Sequence, residues 1–404
     1  MKPFIFAILL LVYLLSSGCV PSQSFDTHLH SIVKPFLFSI ARWELKAIPN
    51  EVNQWIFSSQ KKIDDGVQLV TEYFSATERI NILNSVISTA NTDNGKHDMA
   101  SLQAELNRLR EQNKAIESMV ESIIEKQIRD TLTQQGIFNP LIESKVNFPP
   151  VDFKLAKPPY LLVISPRDRI EAIREITLQP DIKLGEIEDI ETMVDRLDVS
   201  SLVVELGGLG VTYPTLVNND ASLQFVIDTT TEEWLHQYLA FKPLGFLYVL
   251  DLTNLSRNYE IVTMNETLAS MVSKEIGAIV YGKYYSEYGN GTNQNKASEA
   301  GFDFNQEMRE IRKAVDIYLA QGQIEQAEEF MEQKRQYLAS KGYYIRKLNQ
   351  AYFAFHGTYA DSLTSVSPIG IELKKLKAQT TSLKDFLSTA ADMTSRQDLI
   401  NSIK

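Results

Sequence analysis

The longest regular pattern of apolar and polar positions lies between residues 102 and 127. Apolar side chains recur there at steps of four and three residues, which is the heptad spacing of a coiled-coil seam. The positions are Leu102, Leu106, Leu109, Asn113, Ile116, Val120, Ile123 and Gln127. The seam predicts an antiparallel hairpin with a helix over residues 61–90. The alternative is a homodimer through residues 102–127, in which Asn113 would set the register.

The pattern changes after Gly136. Prolines punctuate residues 137–158, which we interpret as a linker. Runs typical of strands follow at 160–165, 176–184 and 201–205. From residue 222 onward the spacing is helical, with helices predicted at 223–241, 264–275, 304–319, 324–340, 343–355 and 382–391. The predicted fold is therefore α+β and predominantly helical. A helical or coiled-coil hairpin region (20–136) precedes a small antiparallel sheet packed on a helical domain (159–404).

Residues 1–19 have the pattern of an export signal. Lys2 precedes an apolar run from Phe4 to Leu15, which is short for a membrane span. The following Ser16-Ser17-Gly18-Cys19 resembles the bacterial lipobox, whose cysteine carries the lipid, although Ser16 stands where an apolar residue is usual. We therefore expect a bacterial lipoprotein, lipid-anchored to the cell membrane through Cys19 and facing the extracytoplasmic side. A plain secretory signal, an uncleaved anchor and a cytoplasmic protein are the alternatives.

Composition and charge narrow the class of partner. The chain has 404 residues, enough for a sizeable core, and 44% of them are hydrophobic. Its net charge of -11 argues against nucleic acid as a partner, because phosphate backbones require basic surfaces. Cys19 is the single cysteine, so an intramolecular disulfide is excluded.

A cluster of candidate metal ligands lies on two of the predicted helices. Glu232 and His236 are four residues apart and so share one helix face. Glu233, one step round the helix, can point at a water molecule on the same metal ion. Glu266, from the second helix, can supply a third ligand. A zinc hydrolase needs three protein ligands, an open position for water and a base. We therefore interpret Glu232, His236 and Glu266 as ligands and Glu233 as the base.

This arrangement resembles the gluzincin family of zinc metallopeptidases. The family motif H-E-x-x-H corresponds to Glu232-Glu233-Trp234-Leu235-His236, and the downstream Asn-Glu-x-x-Ala corresponds to Asn265 through Ala269. The resemblance covers roughly residues 159–370. It implies a zincin-like helical domain, a zinc cofactor, peptide substrates and an activity like that of bacterial aminopeptidases.

The resemblance also suggests residues around the metal. The glycine-rich segment with Gly207, Gly208 and Tyr213 resembles the edge strand on which gluzincin aminopeptidases lay the substrate backbone. The late segment with His356 and Tyr359 resembles the end of such sequences, where a helix closes over the site. A transition-state oxyanion needs a donor opposite the metal, and His356 and Tyr359 are the candidates. Either residue could instead serve only in packing at a helix end.

The chain departs from the family at the first ligand, where Glu232 replaces histidine. A Glu-His-Glu set carries one more negative charge than His-His-Glu, so it makes bound water less acidic and favours harder ions. Three outcomes stay open: an active zinc site, a site preferring Mn or Fe, and a degenerate scaffold without metal. In the rival interpretation, Glu232 and Glu233 lie on a solvated face and His236 packs in a core. The protein would then be a non-catalytic lipoprotein that binds a partner through its N-terminal coiled coil.

Overall fold

The computed structural model describes residues 25–39, 66–90, 99–142, 146–253, 255–288 and 302–403. Over these ranges the chain is mostly helical with few strands, as the sequence predicts. The predicted export signal, including Cys19, lies outside the described residues. Within the ranges described, every helix is too short or too polar to cross a membrane.

Two long helices form an antiparallel hairpin near the N-terminus. They are α2 (Gly66–Ala90) and α3 (Met99–Gln134), which pack against each other. Asn113 is buried in their interface, where its Nδ2 donates to the carbonyl of Tyr73 at 3.1 Å and to Thr77 Oγ1 at 2.9 Å. Most of the heptad positions are thus covered by the chain's own preceding helix. The homodimer stays a prediction.

The start of α2 and the C-terminal half of α3 share one apolar core with the helices that follow the hairpin. The hairpin and the later helices both contribute buried residues to this core, among them Val70, Tyr73, Phe74, Val120, Ile124, Ile227, Trp234, Leu268 and Val272. The hairpin is therefore anchored by its own apolar face to the helical body, and only its far end is packed by a smaller cluster around Leu83 and Leu106.

The segment predicted as a linker contributes a strand to the fold. β1 (Phe153–Leu155) lies within residues 137–158, and Val151 before it is buried. Glutamates of α3 accept hydrogen bonds from this strand. Glu121 Oε1 accepts from the Leu155 amide at 2.8 Å, and Glu125 Oε1 accepts from the Phe153 amide at 3.1 Å. The prolines of this segment favour the prediction of a linker. The short apolar alternation within it forms a strand because it pairs with a segment that is distant in sequence.

The strands form two three-stranded sheets. The first is antiparallel, as predicted, with order β3-β2-β4; its strands are β2 (Tyr160–Pro166), β3 (Arg174–Leu178) and β4 (Val199–Glu205). The second has order β1-β6-β5 and adds β5 (Gly208–Leu209) and β6 (Thr215–Val217). In it β1 and β6 run parallel, so the prediction of one antiparallel sheet holds only for the first.

Two helices cover one face of the first sheet. They are α1 (Phe25–Val33) and α4 (Leu184–Asp195), and their apolar faces pack on Leu162 and Ile164 of β2. After α1 the chain forms a short 3-10 turn (Lys34–Phe36) and a single bridge from Leu37 to Leu178. The N-terminal segment is thus bound to the sheet as far as it is described.

The remaining helices build the body that carries the candidate site. They are α5 (Leu223–Leu239), α6 (Pro243–Leu252), α7 (Tyr259–Tyr284), α8 (Phe304–Ala320), α9 (Ile324–Ser340), α10 (Gln350–His356), α11 (Ile369–Gln379), α12 (Leu383–Ala391) and α13 (Arg396–Ser402). Pro243 begins α6, since proline suits the first helical position. The helix predicted from residue 343 begins only at Gln350, where Asn349 caps it through the Tyr352 amide.

The longest helix of this body, α7, lies at its centre. Its side chains are buried around most of its circumference, and it packs against α5, α6, α3, α11 and α12. A helix that is buried on nearly all sides holds its polar side chains at fixed positions. This is the setting of Glu266.

Candidate metal centre

The first two candidate ligands lie on one face of α5. The helix begins at Ser222, whose side chain accepts a hydrogen bond from the Phe225 amide. Trp234, on the opposite side, is buried and its Nε1 donates to the carbonyl of Pro149 at 2.8 Å. This anchor sets the rotation of α5, so that Glu232 and His236 face α7.

Three side chains converge there. A carboxylate oxygen of Glu232, a ring nitrogen of His236 and a carboxylate oxygen of Glu266 all lie within 4.8 Å of one another. The Nε2 of His236 lies 3.5 Å from Oε2 of Glu266. This group could hold a metal ion. The sequence-derived ligand set is therefore brought to one place by two helices that are separate in sequence.

Neighbouring side chains fix the orientation of two of these ligands. The Nδ1 of His236 lies 2.8 Å from Oδ1 of Asn265, which leaves Nε2 directed at the cluster. The hydroxyl of Tyr248 donates to Oε1 of Glu266 at 2.6 Å. A hydrogen bond from Tyr359 also lowers the pKa of Glu266. Such partners orient ligands in metal sites.

The cluster has strongly shifted proton affinities. Burial opposes the charged form of His236, but the charge of Glu266 and the hydrogen bond to it, with Glu233 and Glu232, raise the pKa of His236 to about 10. Burial also opposes the charged form of Glu266, but the attraction of His236 and the hydrogen bonds from His236, Tyr248 and Tyr359 together outweigh it, so the pKa of Glu266 is lowered. Without a metal, His236 and Glu266 therefore form an ion pair.

Glu232 is the least satisfied member of the group. Its Oε1 is buried and has no hydrogen-bond partner among the described residues. Burial, together with the nearby Glu266 and Glu233, raises the pKa of Glu232 to about 8 even though His236 pulls in the opposite direction. A buried carboxylate without a partner is costly, and a cation is the group that would satisfy it. The residues present fit a divalent metal ion.

Glu233 lies against the glycine-rich segment. A Cβ added to Gly208 would come within 2.8 Å of Glu233 Oε1, and a Cβ added to Gly210 would come within 2.4 Å of Oε2. A side chain at either position would push this carboxylate out of its present place. Burial raises the pKa of Glu233 to about 7, against the attraction of His236 and a backbone hydrogen bond from Gly210. A base with a pKa near the working pH is suited to proton transfer.

The glycine-rich segment includes an edge strand, as predicted. Gly208 and Leu209 form β5, which pairs with β6 and, among the strands that the structure describes, lies at the end of the β1-β6-β5 sheet. A Cβ on Gly207 would lie 2.6 Å from the ring of Phe225 at the start of α5. Tyr213 lies beyond the strand and is partly buried. A substrate-binding role for Gly207, Gly208 and Tyr213 stays a prediction.

The two predicted oxyanion donors lie in different surroundings. Tyr359 contacts the cluster through Glu266. His356 packs against the rings of Tyr352 and Phe355 at 4.3 and 5.1 Å, and it lines a separate cavity of about 290 Å³ with Arg312 and other residues. Burial lowers the pKa of His356 to about 4. No contact among the described residues joins His356 to the cluster, so the geometry favours Tyr359.

Sequence reasoning did not single out Tyr248, Asn265 or Gly210 as parts of the site. Asn265 belongs to the Asn-Glu-x-x-Ala string, so its place beside the candidate ligand Glu266 was a usable signal. Gly210 continues the glycine-rich run. Tyr248 lies in no recognisable motif. It reaches Glu266 through the packing of α6 on α7, which the sequence around it does not indicate.

No protein-family model, curated protein or solved structure matches this chain.

Proposed function

We propose that the protein is a metal-dependent hydrolase of peptides, with Glu232, His236 and Glu266 as the ligands. The observation that carries the proposal is the convergence of one ligand atom from each of these side chains within 4.8 Å, together with a buried oxygen of Glu232 that has no hydrogen-bond partner in the described part of the chain. A solvated face would not hold these residues in this way. The gluzincin resemblance and the aminopeptidase-like activity are part of the proposal.

Each side chain has a chemical role in this proposal. A bound divalent ion polarises a carbonyl group and acidifies water. Glu233 takes the proton from the attacking water and later gives it to the leaving amine; a pKa of about 7 suits both transfers. The hydroxyl of Tyr359, which donates to Glu266 without substrate, would turn to donate to the oxyanion that forms on the substrate carbonyl. His356 is a weaker candidate for that donor because it lies in the separate cavity.

The edge strand supplies a place for the substrate backbone. The outer side of Gly208–Leu209 is not paired with another strand of the described chain. An extended peptide can add to such an edge through its own amide and carbonyl groups. Because the glycines lie against Glu233, a peptide on this edge would pass beside the base.

The donor set constrains the metal, and the N-terminus suggests the location. Two carboxylates and one imidazole accept zinc, and they favour Mn or Fe more than a His-His-Glu set does. A degenerate site would bind none. We propose further that Cys19 anchors the protein by a lipid to the outer face of a bacterial cell membrane.

Metal content tests the ligand assignment directly. We expect the full chain, purified in detergent and dialysed against Zn²⁺, Mn²⁺ or Fe²⁺, to retain one ion per chain. Glu266→Gln should abolish binding. Glu275→Gln is the matched control, since Glu275 lies on the same helix and pairs with Lys377 away from the site. A wild-type protein without metal, or equal metal in both variants, would contradict the proposal.

Activity separates catalysis from mere metal binding. Glu233→Gln should keep the metal and lose peptide hydrolysis, because it removes only the base. Glu232→His restores the family ligand, and a large gain of activity would mean that the natural site is degenerate but correctly placed. Metal-free wild-type protein with no hydrolysis would instead support the non-catalytic scaffold that binds a partner through its N-terminal hairpin.

A further inference from the structure

Tyr248 touches two of the three proposed ligands. It lies on α6, and its hydroxyl donates to Glu266 Oε1 at 2.6 Å. Its ring stacks on the imidazole of His236, with centroids 5.5 Å apart and an angle of 22° between the planes. One residue from a third helix therefore contacts the ligands of both α5 and α7.

The two oxygens of Glu266 have different partners as a result. Oε1 accepts the Tyr248 hydrogen bond, while Oε2 lies 3.5 Å from Nε2 of His236, another of the candidate ligands. A hydrogen bond of 2.6 Å to a carboxylate is short and strong. It commits Oε1 to the phenol, so Oε2, on the side of His236, is the oxygen that would meet a cation.

The position of Tyr248 is set by the backbone. α6 begins directly against the end of α5, where a Cβ on Gly245 would lie 2.1 Å from the carbonyl oxygen of Leu239. Tyr248 follows Gly245 by one helical turn. The close approach of the two helices thus brings the phenol over His236, and a larger residue at position 245 would move it away.

We propose that Tyr248 is a positioning residue of the metal site, which holds Glu266 so that it binds the ion through Oε2 alone and fixes the plane of the His236 ring. The proposal rests on the metal-binding function proposed above. Tyr248 does not touch the reacting atoms. It acts by limiting the freedom of two ligands before the ion arrives, which is how partners of metal ligands raise affinity.

The test compares Tyr248→Phe with the wild type in the full chain. The substitution keeps the ring on His236 and removes the hydroxyl from Glu266. Affinity for Zn²⁺ is measured by competition with a chelating indicator, and Co²⁺ absorption reports the coordination. We expect an affinity lower by roughly 10–100-fold and an altered Co²⁺ spectrum. Tyr281→Phe is the matched control, because its hydroxyl donates to the Tyr288 carbonyl at 3.1 Å outside the site; it should change neither reading.

Tyr248→Leu removes the ring as well as the hydroxyl. It should lower the affinity further than Tyr248→Phe, because the plane of the His236 ring is then no longer held. Equal affinity and equal Co²⁺ spectra for wild type and Tyr248→Phe would overturn the inference alone. Loss of the fold in both position-248 variants would assign Tyr248 to the core and overturn it too. A wild type that binds no metal would instead refute the proposed function and remove the basis of the inference.

Discussion

Two glycines in helices should respond oppositely to the same substitution. Gly245 lies in the first turn of α6, where a Cβ would be 2.1 Å from the Leu239 oxygen and 2.2 Å from its carbonyl carbon. Gly282 lies near the end of α7, where nothing would come within 4 Å of a Cβ. The pair therefore separates the intrinsic effect of alanine in a helix from the effect of close packing.

The magnitudes follow from these distances. Ordinary contact begins at about 3.4 Å, so Gly245→Ala requires a backbone displacement of about 1.3 Å. The neighbour is backbone, which cannot turn aside, so the cost is at the upper end of the roughly 1–3 kcal/mol typical of overpacking. The higher helix propensity of alanine stabilises the folded state by about 0.5–1 kcal/mol relative to glycine. We expect Gly245→Ala to lose about 2 kcal/mol net and Gly282→Ala to gain about 0.5 kcal/mol.

Urea unfolding followed by far-ultraviolet circular dichroism measures both variants. The midpoint should fall for Gly245→Ala and rise for Gly282→Ala, with unchanged slopes. Because α6 carries Tyr248, Gly245→Ala should also weaken metal binding. A Gly245→Ala protein as stable as the wild type would refute the packing of α6 on α5, and with it the stated reason for the position of Tyr248.

Two further predictions concern buried charges. Arg346 makes paired hydrogen bonds of 2.6 and 2.8 Å to Glu191, which is 3% exposed. Lys347 still lies 3.7 Å from this carboxylate when Arg346 is removed, so Arg346→Met should lower the free energy of unfolding by about 2–3 kcal/mol. Arg335→Met breaks a surface pair and should change it by about 0.5 kcal/mol; similar urea midpoints for the two variants would contradict this. Burial raises the pKa of Asp228 to about 7, although the Gln224 amide and Lys274 oppose the shift. The folded state therefore favours the protonated acid. The stabilisation that protonated Asp228 contributes is complete below pH 3.8 and is lost as the pH rises through 7. Asp228→Asn should therefore lose less stability than the wild type between pH 4 and 8, and parallel pH profiles of the urea midpoint would refute this.

Local spacing was enough to predict most of the elements. The heptad of α3 and the helices α8 and α9 follow from periodicities of 3.5 and 3.6 residues, and the strand β2 follows from a short continuous apolar run; neighbouring side chains alone establish these patterns. For the same reason the sequence determined that Glu232 and His236 share a face. An interval of four residues on a helix has a single geometric meaning.

The tertiary structure alone decided how these elements meet. The parallel pairing of β1 with β6 joins Phe153 to Thr215, a separation that no local pattern encodes, and it places a three-residue strand within the predicted linker. Likewise Tyr248 reaches Glu266 because Gly245 lets α6 approach α5, and His356 is directed into another cavity while Tyr359, three residues later, faces the cluster.

The physical reason is the range of the interactions. Helix faces and strand alternation depend on contacts within a few residues, so the chain by itself determined which side chains could act together on one element. The meeting of α5, α6 and α7 depends on burying their apolar faces in one core, and only that packing decided which carboxylate, imidazole and phenol would lie side by side.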